Sequence, residues 1–199
     1  FDRPVISVGN LSTGGTGKTP MVRRVVRMLR EMGRDPCIAM RGYGSARRAD
    51  GRSDEADEYA AALGEIPIVA QPNRTEGLIA LFGTERAERV DAIVLDDGFQ
   101  HRRIARQLDI VLLDAPRSPL DDALLPLGRL REPMDSLARA HAVVVTHADR
   151  ASRGDVDAIL EAAFGVNPAL TAAVAEHAWT GLMVGGDRKS TRLNSSHYS

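Results

Sequence analysis

Lys18 and Thr19 close the run Gly14-Gly15-Thr16-Gly17-Lys18-Thr19, in which three of the first four residues are glycine. Glycines let successive backbone N–H groups turn inward around phosphate oxygens. A helix that starts at Lys18 adds the partial positive charge of its N-terminus. A lysine in that place reaches the β- and γ-phosphates of a nucleoside triphosphate, and the Thr19 hydroxyl is suited to Mg2+. The strand-like run Val5-Ile6-Ser7-Val8 comes just before, so strand, loop and helix follow in the order that G-x-x-x-x-G-K-[ST] requires. The opening glycine of that pattern is replaced by Ser12. Ser12, Thr13, Gly14, Gly15, Thr16, Gly17, Lys18 and Thr19 are therefore the expected nucleotide-binding set. The chain has 26 basic residues, only two of them lysines, Lys18 and Lys189.

Acids follow a second apolar run, Ala92-Ile93-Val94-Leu95-Asp96-Asp97. A carboxylate at the C-terminal end of a buried strand can hold the Mg2+ shell beside Thr19, because ligands collect at that edge of an open α/β sheet. Adjacent strand residues point in different directions. Asp96 is expected to face the metal and Asp97 the nucleotide or substrate. Gln100 and His101 come next, in Gly98-Phe99-Gln100-His101-Arg102-Arg103, where reacting groups should lie; a solvated basic turn explains Arg102 and Arg103 equally well. Arg41-Gly42-Tyr43-Gly44 reads as a loop that approaches a ligand closely, or as a simple turn. Arg131, in Leu127-Gly128-Arg129-Leu130-Arg131-Glu132-Pro133, can neutralise charge on a transferring phosphoryl group; a surface Arg–Glu pair is the alternative. Thr146-His147-Ala148-Asp149 stands where GTPases carry [NT]-K-x-D to read guanine, with His147 replacing the lysine.

These residues need elements to hold them. Continuous apolar runs predict strands at Val5 to Val8, Cys37 to Met40, Ile66 to Ala70, Ala92 to Leu95, Asp109 to Leu113 and Ala142 to Thr146. Helical spacing predicts helices over Lys18 to Met32, Asp54 to Leu63, Arg74 to Arg89 and Ser152 to Phe164. Strand–helix alternation implies an α/β fold, a P-loop NTPase-like three-layer sandwich with a mostly parallel sheet. Residues 1–186 read as one core truncated at both ends, and 187–199 as a probable non-native tail that turns abruptly polar. Residues 47–52 read as a mobile charged loop.

Composition excludes several classes. A net charge of -1 argues against nucleic acid held by bulk positive charge. One cysteine, Cys37, rules out an intrachain disulfide framework and a four-cysteine zinc site. No segment approaches the roughly 20 apolar residues that span a bilayer.

Together, Gly9-Asn10-Leu11, the Gly14 to Pro20 run, Arg41-Gly42-Tyr43-Gly44, Asp96-Asp97-Gly98-Phe99-Gln100-His101 and Leu130-Arg131-Glu132-Pro133 resemble the tetraacyldisaccharide 4'-kinase family, over roughly residues 3 to 180. The Asp-Asp-Gly-Phe-Gln-His string is the specific part. The resemblance implies transfer of the ATP γ-phosphate to the 4'-hydroxyl of a tetraacyldisaccharide 1-phosphate, giving lipid IVA in lipid A biosynthesis. It implies ATP and Mg2+ as cofactors, a lipid disaccharide partner, and work at the cytoplasmic face of the bacterial inner membrane. It also implies an N-terminal anchor and a C-terminal lobe carrying a partner histidine, both absent from this chain, so that the chain alone is expected to be weakly active or inactive. His177 does not match that histidine convincingly. A Gly-Asp-Glu-Pro element of the family is best matched by Ala56-Asp57-Glu58-Tyr59, with Asp54-Glu55 as rival. That match gives Asp57 the role of assisting deprotonation of the attacking hydroxyl. The expected catalytic set is Lys18, Asp57, Asp97 and Arg131, with Thr19 and Asp96 for metal and Arg41, Tyr43, Gln100 and His101 for substrate. The competing reading is a P-loop GTPase of the metallochaperone type, which would use Thr146 to Asp149 for guanine.

Overall fold

The computed structural model describes residues 1–42 and 53–176. Tyr43, Gly44, the charged loop 47–52, His177 and the polar segment 187–199 lie outside the described residues. Seven strands form one sheet: β1 Val5–Asn10, β2 Pro36–Met40, β3 Ile68–Ala70, β4 Ala92–Asp96, β5 Leu108–Asp114, β6 Ala142–Thr146 and β7 Thr171–Val174. Their order is β3-β2-β4-β1-β5-β6-β7, and every pairing is parallel. The helices are α1 Lys18–Glu31, α2 Asp54–Leu63, α3 Arg74–Phe82 and α4 Arg153–Val166.

Alternation along each buried strand divides the core into two faces. Val8, Ile38, Val94, Leu112 and Val144 pack with Val22, Val25 and Val26 of α1 and Tyr59 and Leu63 of α2. On the other face, Cys37, Ala39, Ile93 and Leu95 pack with Leu78 of α3. Val111, Leu113, Val143 and Val145 pack there with Val156 and Ile159 of α4. This is a three-layer sandwich. Each fully buried Val, Leu or Ile contributes roughly 1.5–3 kcal/mol, so the sheet is a stiff frame for the loops at its edge. Burial pushes the Cys37 thiol up to about 12, which makes it an inert core residue.

Several boundaries differ from the sequence expectation. Strands β1, β4 and β5 run further than their apolar stretches, to Asn10, Asp96 and Asp114, because pairing continues into polar residues that face the site. Strand β3 begins at Ile68 rather than Ile66, and the carbonyl of Pro67 accepts from Ile38 N at 2.9 Å. The helix expected over Arg74 to Arg89 stops at Phe82, where Gly83 caps it, and only a short 3-10 turn follows at Glu85–Ala87. Strand β7 was not anticipated. It is a mostly exposed edge strand.

Candidate functional site

In an all-parallel sheet the loops after Asn10, Met40, Asp96, Asp114 and Thr146 all leave from one edge. The phosphate-type loop follows β1, and Val8 of β1 lies in register with Asp96 of the adjacent β4. Close seating of these two strands' loops requires Gly9. A Cβ there would meet Phe99 Cβ at 2.5 Å and Phe99 N at 2.8 Å.

The loop is pinned from three directions. Asn10 Nδ2, fully buried at the end of β1, donates to Thr16 Oγ1 at 2.7 Å. Thr13 N donates to Arg129 O and Arg131 N to Leu11 O, at 2.8 and 2.7 Å. Thr146 Oγ1, from the end of β6, donates to the Thr16 carbonyl at 3.1 Å. Ser12 makes a bridge with Leu130, and Thr13, Gly14 and Gly15 are exposed. Gly17 is the N-cap of α1 with φ 82°, a left-handed conformation natural to glycine. No side chain caps this helix and no acid stands in its first turn. Its first N–H groups therefore face outward as an anion site, with Lys18 beside them.

Lys18, Asp97 and Arg131 converge. Lys18 Nζ lies 3.6 Å from Asp97 Oδ1. Arg131 grips Asp97 with two hydrogen bonds, Nη1 to Oδ2 at 2.9 Å and Nη2 to Oδ1 at 2.7 Å, and Nη2 also donates to Asn10 Oδ1. Asp97 has φ 52°, and its carbonyl accepts from Arg74 Nη1 at 3.0 Å. Burial opposes ionisation of Asp97, but the Arg131 hydrogen bonds, with the charges of Lys18, Arg131 and Arg74, outweigh it and hold the carboxyl below its ordinary value. Arg131 is thus no surface partner of Glu132, which instead binds Arg139 through both carboxylate oxygens at 2.7 Å.

Asp96 has a different environment. Tyr59 donates its O–H to Asp96 Oδ2 at 2.8 Å, while Oδ1 is buried without a hydrogen-bond partner. Burial and the Asp96 charge push the Tyr59 phenol up, and the nearby Thr19 side chain opposes them. Burial raises the Asp96 carboxyl, against the lowering effects of Tyr59 and Lys18. Among the described residues no group of three or more His, Cys, Asp or Glu side chains forms a metal cage. A nucleotide-bound Mg2+ needs none, since one or two protein oxygens plus phosphates suffice. The orphan Asp96 oxygen and the Thr19 hydroxyl fit that requirement.

On α2, Glu55 is electrostatically joined to this cluster. Its carboxyl is raised by burial first, then by Asp96 and Asp97, with Lys18 opposing. Glu55 stands one turn before Tyr59, whereas Asp57 is displaced by roughly 200° around the helix from either. Gln100 Nε2 donates to Asn10 O at 2.9 Å, and its Oε1 has no partner. Gln100 and His101 line an open cavity of about 550 Å3 with Pro72, Asn73, Arg102 and Arg103. Burial, then Arg74, Arg103 and Arg106, lower the His101 pKa and favour its neutral form. Arg41 is exposed just after β2 on the same edge, and Tyr43 lies outside the described residues. His147 Nδ1 lies 2.5 Å from Asp114 Oδ1, and Thr146 braces the phosphate loop. Sequence reasoning did not single out Asn10, Tyr59 or Arg74 as site residues. Asn10 carried a signal, a polar residue at the exit of an apolar strand; the other two are brought in only by packing.

A family model of tetraacyldisaccharide-1-P 4'-kinase matches residues 1–194. A tetraacyldisaccharide 4'-kinase of Anaeromyxobacter sp. (strain K) is 45% identical over 169 residues, 78% of this chain and 44% of that protein. One of Chlorobium luteolum is 38% identical over 92% of this chain and 53% of its own length. The chain spans about half the length of these relatives. The LpxK of Aquifex aeolicus, solved in complex with ATP, is 37% identical with a TM-score of 0.62, over 73% of this chain and 48% of that one. The signal recognition particle receptor FtsY of Elizabethkingia anophelis has a TM-score of 0.56 at 16% identity, over 86% of this chain and 57% of that one, which shows a shared fold alone.

Proposed function

The chain belongs to the tetraacyldisaccharide-1-P 4'-kinase family, and from that premise we propose that it carries the nucleotide half of a site that phosphorylates a lipid disaccharide. The donor is ATP with Mg2+, the acceptor is the 4'-hydroxyl of a tetraacyldisaccharide 1-phosphate, and the product is lipid IVA. One observation carries the reading. Lys18, Arg131 and the uncapped start of α1 gather positive charge around two adjacent carboxylates, which suits a triphosphate crossing to an acceptor.

The roles follow from placement. Open N–H groups of the phosphate-type loop and Lys18 bind the β- and γ-phosphates. Thr19 and Asp96 hold the Mg2+, which when bound offsets charge on the phosphates. Arg131 and Lys18 hold Asp97 ionised at the mouth of the site, and Arg131 also stabilises charge on the transferred group. The acceptor hydroxyl arrives beside α2, where Glu55 faces the cluster, Asp57 is the best match to the family motif and Asp54-Glu55 is its rival. A carboxylate there receives the hydroxyl proton. Gln100 and His101, with Arg41 and Tyr43, contact the sugar phosphate. The acylated acceptor brings the reaction to the cytoplasmic face of the inner membrane. Among the described residues no helix is long and apolar enough to cross a membrane.

The test is transfer of radiolabelled γ-phosphate from ATP to the lipid acceptor by the protein that carries this chain, with unlabelled GTP competing. The expected result is a labelled lipid and weak competition by GTP. Clear preference for GTP, with no labelled lipid, would establish the GTPase alternative instead.

A further inference from the structure

We propose that the Tyr59 hydroxyl is a positioning group for the divalent cation: by holding one oxygen of Asp96 it leaves the other for the metal. The inference rests on the nucleotide reading above and deepens it.

Tyr59 is fully buried, its ring packed among Val22, Val26, Met40 and Val94. A buried phenol must place its O–H donor within the protein. Here the O–H goes to Asp96 Oδ2 at 2.8 Å. Asp96 thus has Oδ2 satisfied and Oδ1 buried with no hydrogen-bond partner. An unpaired buried carboxylate oxygen is costly unless a ligand completes it. One hydroxyl on α2 thus fixes which oxygen of Asp96, at the end of β4, is left for the metal.

The test uses Tyr59→Phe, which keeps the ring and removes only the oxygen. Nucleotide affinity is measured across a Mg2+ titration with a fluorescent ATP analogue, and Mn2+ binding is followed by electron paramagnetic resonance. Loss of an outer-shell partner typically costs about 10- to 100-fold in metal affinity. The Mg2+ midpoint should rise by about that factor, while metal-free nucleotide affinity stays close to the parent's. An unchanged Mg2+ midpoint overturns the proposal. A melting temperature that falls with no change in metal dependence also overturns it, since that is a purely structural role. A second measurement leaves the tyrosine in place. The 19F resonance of 3-fluorotyrosine at position 59 should move on adding Mg2+ to the nucleotide complex and not on adding nucleotide alone. A resonance indifferent to Mg2+ counts against it. None of these readouts is phosphoryl transfer, so failure here is separable from failure of the kinase reading.

Discussion

Helices α1 and α4 are each 14 residues long and each follow a strand of the same parallel sheet, yet their N-termini are built oppositely. The start of α4 is closed. Ser152 Oγ accepts from Asp155 N at 3.2 Å, and Asp155 Oδ2 accepts from Ser152 N at 3.1 Å, a reciprocal capping box. The start of α1 has a left-handed glycine, no capping side chain, no first-turn acid and a lysine. Capping serves stability at α4. At α1 the same backbone donors are left open, where the end of β4 delivers Asp96 and Asp97 and the segment between β5 and β6 delivers Arg131. The difference teaches that an exposed helix start signals a ligand only when distant residues converge on it.

Three substitutions separate the two kinds of helix start. Lys18→Ala should have the largest effect, about 10²–10³ in turnover, the usual loss when one donor to developing phosphate charge is removed. Thermal stability should change little, and steady-state transfer kinetics beside a melting curve check both halves. Arg131→Ala comes next. It leaves the Asp97 carboxylate half-buried without its bidentate partner, at a cost of about 1–3 kcal/mol by denaturant unfolding. The pH dependence gives the sign. A carboxyl held below its unfolded value of about 3.9 stabilises the fold above that pH and loses the contribution as pH falls through the folded value. The Arg131→Ala deficit should therefore be full at neutral pH and shrink below about pH 4. Ser152→Ala should cost about 1 kcal/mol of stability, as N-cap losses do, and leave nucleotide affinity unchanged. An effect of Ser152→Ala on nucleotide binding would break the contrast between the two helices.

The fold was largely legible because buried parallel strands read as continuous apolar runs and the helices between them keep their period. What was missed is physical in kind. The edge strand β7 has the run Thr-Ala-Ala-Val, mostly exposed, and is fixed by pairing to β6 and not by burial. The break after Phe82 lay in Gly83, a stop signal overridden by the apolar spacing on either side. In the site, the phosphate loop could be read because its chemistry is local in sequence. The pairing of Arg131 with Asp97 spans 34 residues and that of Tyr59 with Asp96 spans 37, so neither leaves a periodic trace. Glu132 was the nearest acid to Arg131 in sequence and the wrong partner. The loops that meet at a sheet edge are decided by strand order, and strand order is not written in any one segment.

Gly9 has a consequence for how the two halves of the site stay together. Phe99 rests directly on the backbone where any side chain at position 9 would have to go. A single methyl group at that spot would act as a wedge, lifting the segment that begins at Gly98 off the central strand. The hydrogen bond from Gln100 to Asn10 would open with it. The acid-bearing turn and the anion-gripping turn are thus kept in step by the absence of one carbon, at a position that carries no charge.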